Sequence, residues 1–231
     1  HKAIRRQRQM CIRDRDKYFK TDDLKKCSRF WIILFKTILS KLYHWKIYVV
    51  GSVEYQYPNH LFQAGYFLDK KYYDENTIDF KHLLLSEKNQ SLLKDIQNSN
   101  SVGVHIRRGD YMTKQNLVIF GNICTQKYYH DAIRIITEKV NDAVFYVFSD
   151  DISWVQTHLD IPNAVYVNWN TGESSIYDMY LMSSCKYNII ANSTFSYWAA
   201  RLNKKTNMVI YPSKWYNTFT PDIFPESWCG I

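Results

Sequence analysis

From residue 101 onward the apolar positions fall into short unbroken runs separated by amphipathic stretches. SVGVHI (101–106), AVFYVFSD (143–150), AVYVNW (164–169), YNIIAN (187–192) and MVIYP (208–212) are apolar at successive positions. Runs of this length, apolar on both faces, predict strands of a parallel sheet covered on both sides. Between them, Lys127–Val140 carries Tyr129, Ala132, Ile133, Ile136 and Val140 at helical spacing. Shorter helices are expected over 151–159, 176–185 and 195–202. Strand and helix alternating in this way predict a doubly wound α/β domain. Ligands of such sheets bind beyond the carboxyl ends of the strands, which gives each polar motif a test of position.

The first hundred residues are less regular. In residues 24–47, Leu34, Ile38, Leu42 and Trp45 recur at helical spacing, as do Trp31 and Phe35, while Lys36, Lys41 and Lys46 interrupt them. This predicts a basic amphipathic helix, which suits either a core face with a solvated basic side or an anionic membrane surface. Residues 47–57 suggest a strand and a turn, and 86–98 a polar helix with Leu92, Leu93 and Ile96 inward. Residues 1–15, HKAIRRQRQMCIRDR, show no apolar period. MCIRDR back-translates to a string resembling a transposon-end adaptor for sequencing libraries, so this segment is expected to be non-native. The expected organisation is therefore 1–15 foreign, 16–100 the remnant of an N-terminal half, and 101–231 a Rossmann-type domain.

Composition narrows the class. The 231 residues are 46% hydrophobic and 16% aromatic, with only 7 Gly and 5 Pro, which excludes a disordered or collagen-like chain. Five cysteines are widely spaced without a CxxC, so neither a disulfide framework nor a zinc site is expected, and a reducing compartment is the default. The longest apolar run, Phe30–Phe35, is too short to span a bilayer. The formal net charge of +8 invites a nucleic-acid reading, but residues 1–15 and 16–51 each carry +5, leaving −2 on the remainder. A duplex binder concentrates its basic footprint on the folded recognition surface, so no nucleic-acid partner is expected.

Three polar clusters pass the strand-end test. The first is His105-Ile106-Arg107-Arg108-Gly109-Asp110-Tyr111. A guanidinium fork fits phosphate in a bidentate manner and stays charged. Neighbouring residues at a strand end point to opposite faces, so one arginine can meet a ligand while the other ties down the structure. The second is Ser149-Asp150-Asp151, a loop next to the ligand, a partner for Arg108, or a helix cap supplied by Ser149 or Asp150. The third joins Asp178 to the turn Ala191-Asn192-Ser193-Thr194-Phe195-Ser196. Ser193, Thr194 and Ser196 stand where a helix start can bind phosphate, or where an ordinary N-cap sits. Asp178 also fits a capping box with Ser175. GxGxxG, GxxxxGK[ST] and GxSxG are absent, and no carboxylates or histidines fall at metal-ligand spacing.

The ordered set HIRRGDY, FSDDISW and YDMYLMSSCKYNIIANSTFSYW resembles the bacterial alpha-1,2-fucosyltransferases, glycosyltransferase family 11. GYFLDKKYY (65–73) and PSKWYN with PESW extend the likeness over residues 62–231. It implies a GT-B-like fold of two Rossmann-type halves, GDP-fucose as donor, a glycan acceptor with terminal galactose, inversion at the transferred carbon and no required metal or other cofactor. Carried over by position, Arg107 would hold the diphosphate, with Arg108 and Asp150 beside it and His105 near the nucleotide. Asp178 would accept from the guanine edge, and Ser193, Thr194, Phe195 and Ser196 would line the phosphates. Arg107 and Asp110 are the catalytic candidates. Tyr197, Ala199 and Arg201 depart from the family's FSWWGAWLN pattern, and its GGLGNQ-like glycine-rich motif is not in the chain, so a truncated acceptor side and lost activity are expected. The alternatives are another GDP-sugar transferase, of alpha-1,6 or protein O-fucosyl type, or a basic nucleic-acid-binding module. A cytoplasmic protein is expected, with residues 24–47 against the inner face of the membrane.

Overall fold

The computed structural model describes residues 18–20, 48–51, 62–65 and 79–231. The chain divides into two units. One holds Ile78–Thr220 and Pro225–Ile231 together with the N-terminal residues to Lys20, and the other holds Thr21–Thr77 and Pro221–Phe224. Of the second, strands β2 (Tyr48–Gly51) and β3 (Phe62–Gly65) are described, and they pair in parallel. The strand expected within 47–57 is thus present, whereas β3 was not anticipated. Residues 1–15 and the expected helix over 24–47 lie outside the described residues.

The first unit is built on six parallel strands: β5 (Asn100–Ile106), β6 (Ala143–Ser149), β7 (Ala164–Val167), β8 (Tyr187–Ile189), β9 (Met208–Tyr211) and β10 (Cys229–Gly230). Their spatial order is β7-β6-β5-β8-β9-β10. The chain walks outward from β5 to β7, then returns to the other side of β5. That order is the doubly wound arrangement, and the reversal leaves a crevice beyond the carboxyl ends of β5 and β8. A separate antiparallel pair joins β1 (Phe19–Lys20) to β4 (Asp79–Phe80).

Side-chain alternation along β5 assigns the layers. Val102, Val104 and Ile106 enter a core with Phe145, Val147, Ile189 and Ile210, covered by α3 (Gln126–Lys139) and α4 (Ile152–His158). Tyr129, Ile133 and Ile136 of α3 and Val155 of α4 supply that cover. Ser101, Gly103 and His105 point the other way, toward α5 (Ser175–Ser183). A Cβ on Gly103 would lie 3.0 Å from Met182 Cγ and 2.9 Å from Asn188 Nδ2, so glycine here lets α5 sit directly on the sheet. Helix α6 (Thr194–Arg201) packs beside α5, and α1 (Glu87–Asn98) packs on α5 and β5.

Caps set the helix starts. Ser86 Oγ accepts from the Asn89 amide at 3.3 Å and Thr125 Oγ1 from the Tyr128 amide at 3.3 Å. The expected elements from 86 onward are present with ends shifted by a few residues. Besides the residues to Lys20, the unit takes in 78–100 ahead of β5, where α1 packs on that strand. Helix α2 (Lys114–Phe120) was not anticipated: it has no inward apolar stripe, and Val118 and Ile119 lie exposed. Strand β10 went unread as well, since two residues carry no period. Among the described residues no helix is long and apolar enough to cross a membrane.

Candidate functional site

Strand β5 delivers His105 and Ile106 to the crevice, and a single 3-10 turn, Gly109–Met112, follows at once. Arg107 leaves the strand end with its fork divided between two carboxylates. Nη2 donates to Asp110 Oδ1 at 2.6 Å, and Nη1 meets Asp150 Oδ2 at 2.7 Å. Arg108 turns elsewhere. Its Nε donates to Asp151 Oδ2 at 3.2 Å, and its guanidinium lies 3.6 Å above the Trp154 ring, which stacks in turn on His158. The two side chains thus take different partners, Arg107 the carboxylates of Asp110 and Asp150 and Arg108 that of Asp151.

The loop after β6 divides its labour differently from the sequence reading. Asp151, not Ser149 or Asp150, caps α4, accepting from the Trp154 amide at 3.1 Å. Ser149 Oγ accepts from the Asp151 amide at 3.0 Å and shapes the turn. Asp150 instead takes the Arg108 amide on Oδ1 at 2.9 Å while Oδ2 holds Arg107. A Cβ on Gly109 would run into Asp150 Oδ2, so glycine permits the carboxylate to lie under the turn.

His105 is 5% exposed, its ring 4.9 Å from the Phe195 ring, and its Nδ1 is buried without a hydrogen-bond partner. Burial, reinforced by the neighbouring Arg107 charge, pushes its pKa down to about 3. The imidazole is therefore neutral at physiological pH. A buried nitrogen left without a partner is the exception among buried polar atoms. Tyr111, quoted with the motif but given no role there, ties the two loops: its hydroxyl donates to the Asn192 carbonyl at 2.9 Å, and Arg107 lies 5.6 Å from its ring centroid.

Ser193 is the N-cap of α6, accepting from the Phe195 amide at 3.4 Å. Thr194 is exposed and Phe195 half-buried at the first turn. Ser196 is displaced from the proposed lining. Its hydroxyl is fully buried, donates to the Ala191 and Ser193 carbonyls and accepts from the Ala191 amide, so it braces the turn from within.

Asp178 belongs to a second cluster, beyond β7. The capping box with Ser175 does not form: α5 begins at Ser175, and Ser174 makes no side-chain cap. Asp178 Oδ1 accepts from Asn170 Nδ2 at 2.7 Å. Asn170 pairs its amide reciprocally with that of buried Asn89, at 3.0 Å in both directions, and Trp169 Nε1 donates to Asn89 Oδ1 at 2.7 Å. Both Asn170 Nδ2 protons are thereby used, which leaves Asp178 Oδ2 to accept from something else. Burial pushes the Asp178 carboxyl up to about 7, partly offset by the Asn170 bond. Asn89, Trp169 and Asn170 were missed in the sequence. Asn170 follows a strand end and so met the positional test, while Asn89 sits inside a polar helix with nothing to mark it.

A shallow groove of about 230 Å³ at the start of α3, lined by Lys127, Asp131, Pro212 and Lys214, shares no residue with either cluster. Among the described residues no three His, Cys, Asp or Glu side chains converge as a metal ion would require.

The doubly wound sheet thus brings an arginine fork and an orphaned buried imidazole together at its switch point. The family profile described as glycosyl transferase family 11 matches residues 22–231, and the chain belongs to that family. It is 35% identical to an alpha-1,2-colitosyltransferase of Escherichia coli over 196 residues, 78% of this chain and 63% of that protein. It is 44% identical over 122 residues to the O-antigen biosynthesis glycosyltransferase WbnK of Escherichia coli, 52% of this chain and 40% of the relative. A galactoside alpha-(1,2)-fucosyltransferase 2 of Pongo pygmaeus is 28% identical over 163 residues, 65% of this chain and 48% of that one. The chain thus spans between 40% and 63% of the length of these relatives. Among solved structures, the NodZ alpha-1,6-fucosyltransferase soaked with GDP-fucose aligns at 15% identity and a TM-score of 0.40, covering 77% of this chain and 60% of that one. That likeness is too slight to carry an argument.

Proposed function

We propose that this chain carries the donor half of a GT-B-like, inverting, metal-independent transferase that moves L-fucose from GDP-fucose to a galactoside hydroxyl in alpha-1,2 linkage. The observation that carries the reading is the fork of Arg107 beside the partnerless buried nitrogen of His105, at the switch point of the sheet. The family membership and the alpha-1,2 linkage in the names of two relatives favour it over an alpha-1,6 or protein O-fucosyl linkage.

Each group has a chemical task. As the bond to the sugar breaks, the leaving diphosphate gains negative charge, and the Arg107 guanidinium stabilises that charge. The Phe195 amide and its neighbours at the start of α6 face the same end of the sheet with the positive end of the helix dipole. Neutral His105 acts as a hydrogen-bonding group and not as an acid. Asp178 offers Oδ2 and the remaining lone pair of Oδ1 to the N1–H and N2–H₂ of guanine. With Arg107 supplying the positive charge, no metal is needed. The same reading places the protein in the cytoplasm, residues 24–47 lying on the anionic inner face of the membrane; the lysine pattern of that segment supports this.

Calorimetry of the full chain in EDTA, titrated with GDP, GDP-fucose and ADP, tests the reading. GDP and GDP-fucose are expected to bind, with ADP weaker by more than about tenfold, the scale of one well-placed hydrogen bond. Binding that appears only with Mg²⁺ or Mn²⁺ overturns the metal-free part. Equal affinity for ADP removes Asp178 from the site.

A further inference from the structure

The charge around the Arg107 fork opposes an anionic ligand. Arg107 contributes +1, while Asp110 and Asp150 both lie on its fork at ion-pair distance. A diphosphate arriving there finds a carboxylate on each terminal nitrogen of the fork, with three of its five N–H groups left, and the repulsion between the diphosphate and these two carboxylates favours release of the looser one.

The two are not held equally. Asp150 uses both oxygens, Oδ1 on the Arg108 amide and Oδ2 on Arg107, and is seated beneath Gly109. Asp110 makes one side-chain contact, Oδ1 to Arg107 Nη2, and its side chain is 34% exposed. Asp110 also rides on a single 3-10 turn, anchored through its carbonyl to Thr113 Oγ1 and Asn116 Nδ2. Its carboxylate can therefore rotate away while its backbone stays in place.

We propose that the donor diphosphate displaces Asp110 from Arg107, and that the released carboxylate then takes the proton of the acceptor hydroxyl. This rests on the donor reading above. Asp150 stays and keeps the guanidinium oriented. The transferred carbon is bonded to the terminal phosphate oxygen, so a carboxylate released from the fork starts within a few bond lengths of the reaction. In the step itself the acceptor oxygen bonds to the anomeric carbon, and the carbon–oxygen bond to the diphosphate breaks with its electron pair leaving on GDP. The acceptor proton passes to Asp110. While Oδ1 accepts from Arg107 Nη2 the carboxylate stays on the fork, so Asp110 reaches the acceptor hydroxyl only once the donor is bound. The chain thus binds donor before acceptor, by a swap of anions on one guanidinium.

The test is GDP affinity and turnover in Asp110→Asn, Asp110→Ser and Asp150→Asn, with melting temperatures to confirm folding. Removing a competitor for Arg107 is expected to tighten GDP binding about three- to fivefold in both Asp110 variants, the scale of a part-exposed ion pair. Transfer from GDP-fucose is expected to fall about a hundredfold or more, as for a lost general base. Asp150→Asn is expected to give no tightening. Weaker GDP binding in the Asp110 variants makes Asp110 a holder of Arg107 and overturns the swap. Equal tightening in Asp150→Asn reduces the effect to net charge and overturns it also. Retained turnover with tightened GDP binding overturns the proton transfer. If wild type and every variant fail to bind GDP, the donor reading falls and the swap with it, an outcome distinct from the others.

Discussion

Asp178→Asn changes one buried carboxyl to an amide of nearly the same shape, and the structure sets the size of two effects. Burial holds this carboxyl at about 7 against 3.8 for a free aspartate. If guanine is read by the ionised form, only the ionised fraction of the protein binds. At pH 8 that fraction is about ten-elevenths and at pH 6 about one-eleventh, so affinity for the nucleotide falls about tenfold between them. GDP-fucose is the proper probe, because its diphosphate is esterified at both ends and does not titrate in this window. The second effect is on stability. The folded-state value is raised, so the folded chain binds this proton more tightly than the unfolded one. The contribution is therefore most favourable while the group is protonated, below 3.8, and declines as pH rises toward about 7. Three units at about 1.36 kcal/mol each bound the loss at about 4 kcal/mol. The amide removes that cost while keeping an acceptor for Asn170 Nδ2. Calorimetry with GDP-fucose at pH 6, 7 and 8, with melting curves at the same pH values, measures both. Wild type is expected to show the tenfold decline, and the variant a flat, weak affinity and a higher melting temperature at pH 8. A pH-independent wild-type affinity, or a variant less stable at pH 8, refutes the reasoning and makes the carboxylate a structural anchor.

Two further outcomes follow from the arginine pair and its glycine. Arg107→Lys replaces a fork by a point charge and is expected to lose donor affinity by more than about tenfold. Arg108→Lys loses the Asp151 bond and the stacking on Trp154, together about 1 kcal/mol, and is expected to melt a few degrees lower with GDP affinity kept within about twofold. Equal loss of GDP affinity with unchanged melting in both variants refutes the division. Gly109→Ala places a methyl against Asp150 and is expected to cost about 1–3 kcal/mol by overpacking, with weakened GDP binding as Arg107 loses its orientation. Wild-type melting and affinity in that variant show that Asp150 does not need its seat beneath the turn.

The sequence alone determined the longer strands and helices from residue 86 onward and their layering, though not the short β3, α2 or β10. Continuous apolar runs such as AVFYVF make a strand buried on both faces, and the spacing of Tyr129, Ile133 and Ile136 turns one face of α3 inward; both signals are local, so both are legible. The same holds for the motif at the end of β5, since a strand end announces where its polar residues emerge. What the tertiary structure decided is pairing. Arg107 meets Asp110 three residues away and Asp150 from the neighbouring strand, and no local rule separates Asp150 from Asp151 as its partner. The cap passed to Asp151 because its φ and ψ place its carboxylate over the Trp154 amide, while Asp150 is drawn under Gly109. Asn89 and Asn170 are 81 positions apart and join only because α1 packs on α5. Ser196 lies in a turn rich in hydroxyls, yet backbone closure there turned it inward. Local periodicity sets which residues reach the carboxyl edge of the sheet; the contacts that charge, orient and desolvate them there are made across the chain, and only the folded chain holds them.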